Sequence, residues 1–174
     1  MKRVMVVGAP GSGKSTLAIA LGRKTGLPVY HMDRIHWQPG WQSRDVTEKD
    51  HLTHEVHQKE AWIFEGGHSR TYPERLARAD TLVWLDLPVT LRYWRVGKRW
   101  WMYRGGTRPD LPENCPERLD GEFLRYIWTS RRRTRQRHLD ILKNPGDLKI
   151  HHLQTRSAVR RFLSAVPTQS EGQV

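Results

Sequence analysis

A phosphate-binding motif lies near the start of the chain. Residues Gly8–Ser15 read Gly-Ala-Pro-Gly-Ser-Gly-Lys-Ser and match the pattern G-x-x-x-x-G-K-[ST]. The glycines let successive backbone N–H groups point at a β-phosphate, while Lys14 neutralises β- and γ-phosphate oxygens and the Ser15 hydroxyl can ligate Mg²⁺. We therefore predict that ATP and Mg²⁺ are cofactors. The predicted nucleotide-binding residues are Gly8, Ala9, Pro10, Gly11, Ser12, Gly13, Lys14, Ser15 and Thr16.

Three acidic residues follow predicted strands and are candidates for the metal or the acceptor. Glu65 follows Trp62–Phe64 and precedes two glycines that would let a ligand approach the backbone, so we predict that it forms the metal site with Ser15. Asp33 is predicted to accept the proton of an acceptor hydroxyl or to orient that hydroxyl; an ordinary turn at a strand end is the alternative. Asp86 ends a Walker-B-like run, where a metal role and a structural cap fit equally well.

Arginines are the second set of candidates. Arg95 and Arg99 are spaced i, i+4 and therefore lie on one helix face, from which they could reach adenine and phosphates. The stretch 104–120 contains Gly-Gly and three prolines and is predicted to be a lid over the phosphates; a plain surface loop is the alternative. Phosphoryl transfer depends on positioning and charge stabilisation, so convergent arginines suit it. The predicted catalytic residues are Lys14, Asp33, Arg95, Arg99 and Arg108.

The elements that would position these residues alternate between strand and helix patterns, which predicts an α/β fold with a parallel sheet. The predicted strands are Val4–Val7, Val29–Met32, Trp62–Phe64, Thr81–Leu85 and Leu148–Leu153. The predicted helices are Lys14–Lys24, Thr47–Glu60, Tyr72–Arg78, Thr90–Tyr103, Glu122–Leu142 and Ser157–Val166.

The composition predicts one cytoplasmic domain. A length of 174 residues suits a single domain, residues 1–174, with the lid insert at about 104–120 and a flexible tail at about 167–174. We expect no signal peptide, and we expect no membrane partner because no apolar run is long enough to span a bilayer. Cys115 is the only cysteine, which excludes intrachain disulfides and fits a reducing compartment; packing or a loop position is its predicted role.

The formal net charge of +12 will attract polyanions but does not choose between nucleotides and nucleic acid. The arginine-rich run Arg131–His138 could bind nucleic acid, although consecutive helical arginines point in all directions. Eight tryptophans could stack on bases, but packing between amphipathic helices is the favoured interpretation. For His51, His54 and His57, a solvated helix face is favoured over a metal site.

Several motifs together resemble the adenylate-kinase-like P-loop proteins known as the DNA topology modulation protein FlaR family. Besides the phosphate loop, the motifs are His31–Trp37, Pro39–Trp41, Trp62–His68 and Arg108–Asp110, and the resemblance covers roughly Val4–Leu163. It implies a P-loop NTPase fold of nucleotide kinase type: a five-stranded parallel sheet flanked by helices, with a lid insert.

The resemblance also bears on single residues. Arg95 and Arg99 look like the nucleotide kinase pair that precedes the lid and contacts adenine and phosphates, and Arg108 looks like a lid arginine. The family usually has Asp-Gly-Asn-Tyr after the third strand, whereas Glu65–His68 reads Glu-Gly-Gly-His here. The Asp-Gly-x-Pro-Arg signature of true adenylate kinases is absent, so AMP specificity is not implied.

The sequence therefore predicts an ATP-dependent kinase that moves the γ-phosphoryl group of Mg-ATP to a small acceptor, with a nucleotide as one candidate. The alternative is an ATP-binding regulator or a nucleic-acid-associated ATPase that affects DNA topology. Its partner would bind through the basic surface around Arg131–Arg137.

Overall fold

The computed structural model describes residues 1–117 and 119–168 and contains seven strands among them. The strands are β1 Arg3–Gly8, β2 Val29–His31, β3 Trp37–Gln38, β4 Gln42–Ser43, β5 Trp62–Glu65, β6 Thr81–Leu85 and β7 Lys149–Leu153. Five of them form a parallel sheet in the order β2-β5-β1-β6-β7, and β3 and β4 form a short antiparallel hairpin. The predicted α/β class and five-stranded parallel sheet are confirmed.

Eight helices and one short 3₁₀ turn connect the strands in the described residues. The helices are α1 Lys14–Thr25, α2 Met32–His36, α3 Val46–His57, α4 Tyr72–Arg78, α5 Val89–Met102, α6 Gly121–Thr129, α7 Arg131–Lys143 and α8 Arg156–Ala165. The 3₁₀ turn Ser69–Thr71 leads directly into α4. Three of the helices start at a side-chain cap, as when Asp45 accepts hydrogen bonds from the backbone N–H groups of Thr47 and Glu48.

Both faces of the sheet are buried, which explains why its central strands are apolar without interruption. Successive side chains of β1 alternate between the faces: Val4 and Val6 pack against α1 and α8, while Met5 and Val7 belong to the cluster on the opposite face. All four side chains are fully buried. The strand that leads into the phosphate loop is thus anchored from both sides.

The strand order brings the candidate site residues to one edge of the sheet. β1 lies at the centre, with β5 on one side and β6 on the other, and all three run parallel. In such sheets the ligand site lies beyond the carboxyl ends of the strands, where the strand order reverses. The residues Gly8, His31, Glu65 and Leu85 end four of these strands and therefore meet at this edge.

One predicted helix is wrong and two elements were not predicted. The single helix Glu122–Leu142 is two helices, α6 and α7, separated at Ser130. The Ser130 hydroxyl donates a 2.5 Å hydrogen bond to the Tyr126 carbonyl, an i−4 contact of the kind that bends helices. The predicted strand Val29–Met32 ends one residue early because Met32 begins α2. Helix α2 and the β3–β4 hairpin were not predicted.

Two predicted segments reach beyond the described residues. The predicted tail 167–174 is described only at residues 167 and 168, and the segment 104–120 is described except for residue 118. Among the residues that the structure describes, no helix is both long enough and apolar enough to cross a membrane.

Candidate functional site

The phosphate loop joins β1 to α1 and places its lysine over the loop. The Ser12 N–H donates to the Ala9 carbonyl at 3.1 Å, and Lys14 Nζ donates to the same carbonyl at 3.3 Å. Ser12 is fully buried, whereas Lys14 and Ser15 are partly exposed and Thr16 is exposed. The start of α1 therefore presents its free N–H groups beside a lysine and a hydroxyl, which is an anion-binding arrangement.

Two glycines of the loop are required by their surroundings. Gly11 has φ +76°, and a Cβ on it would lie 2.8 Å from the Arg92 carbonyl oxygen. Gly13 has φ +90°, and a Cβ on it would lie 2.8 Å from Arg95 Nη1. Larger residues would meet both an unfavourable backbone conformation and α5. The loop is thus pressed against the first two turns of α5.

Glu65 and Ser15 are brought together although fifty positions separate them. The Ser15 hydroxyl donates a 3.1 Å hydrogen bond to Glu65 Oε1, and His31 Nδ1 lies 2.8 Å from the same oxygen. Glu65 is 2 % exposed. In the sheet register, Glu65 pairs with Val6 of β1 on one side and with His31 of β2 on the other, so the backbone fixes its position.

Asp33 lies in the first turn of α2, beside this pair. Burial raises the pKa of the Asp33 carboxyl above its ordinary value of 3.8, and the Glu65 carboxylate raises it further. The charges of Lys14 and Arg108 oppose this shift, while Asp110 adds to it. Asp33 is therefore within the electrostatic reach of the phosphate loop, the Glu65 carboxylate and the 104–120 segment at once.

The three predicted arginines make different contacts. Arg95 Nη1 donates a 2.5 Å hydrogen bond to the Ser12 carbonyl, so this residue touches the phosphate loop. Arg99 Nε donates a 2.7 Å hydrogen bond to Glu117 Oε1, and Arg108 Nε lies 2.6 Å from Glu117 Oε2. Arg108 also donates to Asp110 at 2.9 Å. Arg99 and Arg108 are thus joined through one buried carboxylate.

The segment 104–120 packs against the β3–β4 hairpin. Trp41 Nε1 donates to the Pro116 carbonyl at 3.1 Å, and the buried Cys115 thiol lies 3.5 Å from the Gln38 carbonyl oxygen. Arg34 of α2 donates to the Pro109 carbonyl at 2.7 Å. Cys115 accordingly has the packing role that the sequence predicted. The segment lies on the same side of the molecule as α2 and Asp33.

Asp86, for which the sequence left a metal role and a structural cap open, contacts side chains of α7 and β7. Its Oδ2 accepts a 3.0 Å hydrogen bond from Arg135 Nε of α7 and lies 3.1 Å from His152 Nε2 of β7. The His152 ring stacks on Trp84, with centroids 4.0 Å apart. Asp86 thus ties α7 to the sheet.

Few side chains at this site could supply oxygen ligands for a metal ion. In residues 1–117 and 119–168, no group of three or more His, Cys, Asp and Glu side chains could hold a metal ion by itself. Mg²⁺ typically uses one or two protein oxygens together with waters and substrate phosphates. The Ser15 hydroxyl and the Glu65 carboxylate could serve as such oxygens, because their 3.1 Å separation fits ligands that share one small cation.

Sequence reasoning missed several residues of the site. His31 and Asp110 were quoted only as parts of motifs, and Glu117 was given no role. Some of their contact partners are separated from them in sequence by at least a strand or a loop, and others are near neighbours within a loop whose path the sequence does not show. The spacing of residues in the sequence therefore could not indicate these contacts. His57 was also placed on a solvated face, yet it is fully buried and accepts a 3.1 Å hydrogen bond from Arg75 Nε.

Solved structures share this arrangement of strands and helices. Deoxyadenosine kinase from M. mycoides with bound dCTP matches at 14% identity and a TM-score of 0.53, covering 92% of this chain and 96% of that one. The chain has the fold of the P-loop kinases. Shikimate kinase from Acinetobacter baumannii in complex with shikimate matches at 19% identity and a TM-score of 0.53, covering 94% of this chain and 89% of that one.

The sequence comparisons match a smaller part of the chain. The family model described as isopentenyl transferase matches residues 1–40 of the 174, a stretch that contains β1, the phosphate loop and α1. Comparison with curated proteins gives no match. These findings support a P-loop kinase-like fold and leave the FlaR family unconfirmed.

Proposed function

We propose that the protein is an ATP-dependent phosphotransferase that moves the γ-phosphoryl group of Mg-ATP to a hydroxyl of a small acceptor. The observation that carries the proposal is the Ser15–Glu65 contact of 3.1 Å. It places a hydroxyl and a buried carboxylate at the mouth of a phosphate loop, in a fold shared with kinases of a nucleoside and of shikimate.

The Ser15 hydroxyl and the Glu65 carboxylate would hold Mg²⁺, with His31 orienting the carboxylate from its other side. When bound with ATP, this ion supplies charge neutralisation at the β- and γ-phosphate oxygens. Lys14 contributes a further positive charge at the same oxygens, and the α1 N–H groups hold the β-phosphate. Ser15 and Glu65 therefore bind and orient, rather than exchange protons.

Asp33 would act on the acceptor. The bond between the γ-phosphorus and the β,γ-bridging oxygen breaks, a bond from the acceptor oxygen to that phosphorus forms, and the hydroxyl proton passes to Asp33. ADP leaves with the electron pair of the broken bond. Because burial and Glu65 raise the pKa of Asp33, its carboxylate is a stronger base than an exposed aspartate.

The arginines and the 104–120 segment would complete the site. Arg95 already contacts the loop carbonyl of Ser12 and is placed to reach the nucleotide. Arg99 and Arg108 are held by Glu117, so they are kept close together until phosphates compete for them. We propose that segment 104–120 is a lid, which would exclude water from the transferred group.

The test is ADP release from Mg-ATP with a panel of nucleosides, nucleoside monophosphates and small hydroxylated metabolites. One acceptor class should raise turnover well above background in the wild type. Lys14→Ala should abolish this stimulation because the β- and γ-phosphates lose their lysine. Lys59→Ala removes the same positive charge at an exposed position and should leave the stimulated turnover unchanged. Near-wild-type turnover in Lys14→Ala would sink the proposal.

The nucleic-acid alternative is supported by one feature of the surface. Trp128 is 50% exposed, and the Arg131 guanidinium lies 3.6 Å from the centre of its ring. Exposed aromatic rings next to arginines can stack on bases. Salt-dependent binding of single-stranded DNA that is lost in Trp128→Ala together with Arg131→Ala would support this function. Absence of binding at physiological salt would count against it.

A further inference from the structure

A concave surface lies beside the phosphate loop. It is a concavity of about 470 Å³ between the loop after β6, the first turn of α5 and the N-terminal half of α7, here called the α5–α7 pocket. Its apolar wall includes Trp84, Leu87 and Pro88, and its polar lining is dominated by the arginines 92, 131, 132 and 135. The proposed phosphotransferase uses none of these arginines.

Arg92 is the unusual member of this lining. It is 4% exposed, and neither its Nε nor its Nη1 has a hydrogen-bond partner among the described residues. Burial lowers the pKa of its guanidinium, although the group stays charged under all ordinary conditions. A buried cation whose donors are unpaired is costly to the fold, so a ligand that pairs with this guanidinium would offset part of that cost.

The pocket carries more positive than negative charge. Asp86 is the one acid among the described residues that line it, and its Oδ2 already accepts from Arg135 and lies beside His152. Arg92 and Arg132 have no carboxylate within 4.0 Å in the part of the chain that the structure describes. The arginines therefore leave the lining positively charged, although the Asp86 charge also acts on Arg92.

We infer that the α5–α7 pocket is a second anion site that binds a phosphate group through the buried Arg92 and the neighbouring Arg132. Guanidinium groups match the tetrahedral oxygens of phosphate with two parallel N–H donors, and such charge-assisted bonds are strong. The apolar wall and the volume leave room for an organic moiety next to the phosphate. The ligand is therefore free phosphate or a small phosphate monoester.

The pocket borders the predicted nucleotide site and shares Ala9 with it, but its lining does not include Lys14, Ser15, Asp33 or Glu65. A phosphate there would lie beside the loop rather than on the α1 N-terminus. The inference thus goes beyond the proposed phosphotransferase and does not require that activity.

The test measures binding of inorganic phosphate and of phenyl phosphate by titration calorimetry at constant ionic strength. All variants carry Lys14→Ala, which weakens binding at the phosphate loop. Arg132→Ala is compared with Arg133→Ala, because the two arginines are adjacent on α7, both are exposed, and only Arg132 lines the pocket. Arg92→Met is the third variant, and circular dichroism checks that each one folds.

The expected result is saturable binding that weakens by about tenfold in Arg132→Ala and in Arg92→Met, but not in Arg133→Ala. Tighter binding of phenyl phosphate would identify a phosphate monoester as the ligand, and equal binding would identify free phosphate. If Arg92→Met does not fold, the comparison of Arg132→Ala with Arg133→Ala tests the inference by itself. Equal effects of those two substitutions, or no saturable binding, would overturn the inference.

Discussion

Arg99 of α5 donates a 2.7 Å hydrogen bond to Glu117 at the end of the 104–120 segment. The same carboxylate lies 2.6 Å from Arg108 Nε, and its side chain is 2% exposed. One acid thus holds two arginines that were predicted to bind phosphates, and it ties the segment to α5. Removing its charge should loosen the segment and leave both arginines without this partner.

Glu117→Gln should therefore increase the rate at which trypsin cleaves within residues 104–118, by about tenfold or more, because local opening becomes easier. Glu113→Gln is the control, since Glu113 is exposed in the same segment. Peptide mapping of the digest locates the cut. Equal cleavage of the two variants would show that Glu117 does not hold the segment.

Glu65→Gln should lower turnover by at least about a hundredfold, because the amide is a poor Mg²⁺ ligand and leaves Ser15 without its acceptor charge. The Mg²⁺ concentration for half-maximal activity should rise as well, which a purely structural role would not produce. Glu60→Gln, at an exposed position, is the matched control. An unchanged Mg²⁺ dependence would remove Glu65 from the metal site.

The ionisation of Asp33 should determine the acid limb of the pH–activity profile. The carboxylate must be ionised to accept a proton, so kcat/KM should fall as the pH drops through the pKa of Asp33. Burial and Glu65 raise that pKa, so the limb should lie above the range of an ordinary aspartate. Asp33→Asn should abolish the limb and most of kcat, whereas Asp147→Asn, at an exposed site, should leave both unchanged. An acid limb that persists in Asp33→Asn would exclude this role.

His138 should make the fold sensitive to acid. Burial lowers its pKa from 6.5 to about 4, with the charges of Lys14 and Arg137 adding to the effect. The unfolded chain binds this proton below pH 6.5 while the folded chain does not, so stability is lost as the pH falls from 6.5 towards 4. The contribution between pH 7 and pH 5 is about 2 kcal/mol.

Denaturant unfolding of His138→Leu at pH 7 and pH 5 checks this prediction. The loss of stability between the two pH values should be smaller than in the wild type by about 2 kcal/mol. His51→Leu serves as the control because the His51 side chain is 71% exposed. A wild-type pH dependence in His138→Leu would mean that His138 is not held neutral.

The sequence by itself determined the local parts of the molecule. The Gly8–Ser15 pattern, the uninterrupted apolar strands and the helix periodicity each depend on residues within a few positions, so the α/β class, the phosphate loop and most helix bounds followed from them. The break at Ser130 was missed because no glycine or proline marks it in the sequence, and Ser130 itself keeps αR backbone angles. Helix α2 was missed because five residues are too few for a periodic signal.

Tertiary structure decided which side chains meet. Ser15 and Glu65 touch because β1 and β5 are neighbours in register, and Arg99 meets Arg108 through Glu117 because the 104–120 segment folds back on α5. Such contacts join residues separated by long stretches of chain, and their geometry depends on strand order and on loop paths. Arg92 is a further example: its sequence neighbours mark it as one more helical arginine, and only packing buries it with Nε and Nη1 unpaired among the residues that the structure describes.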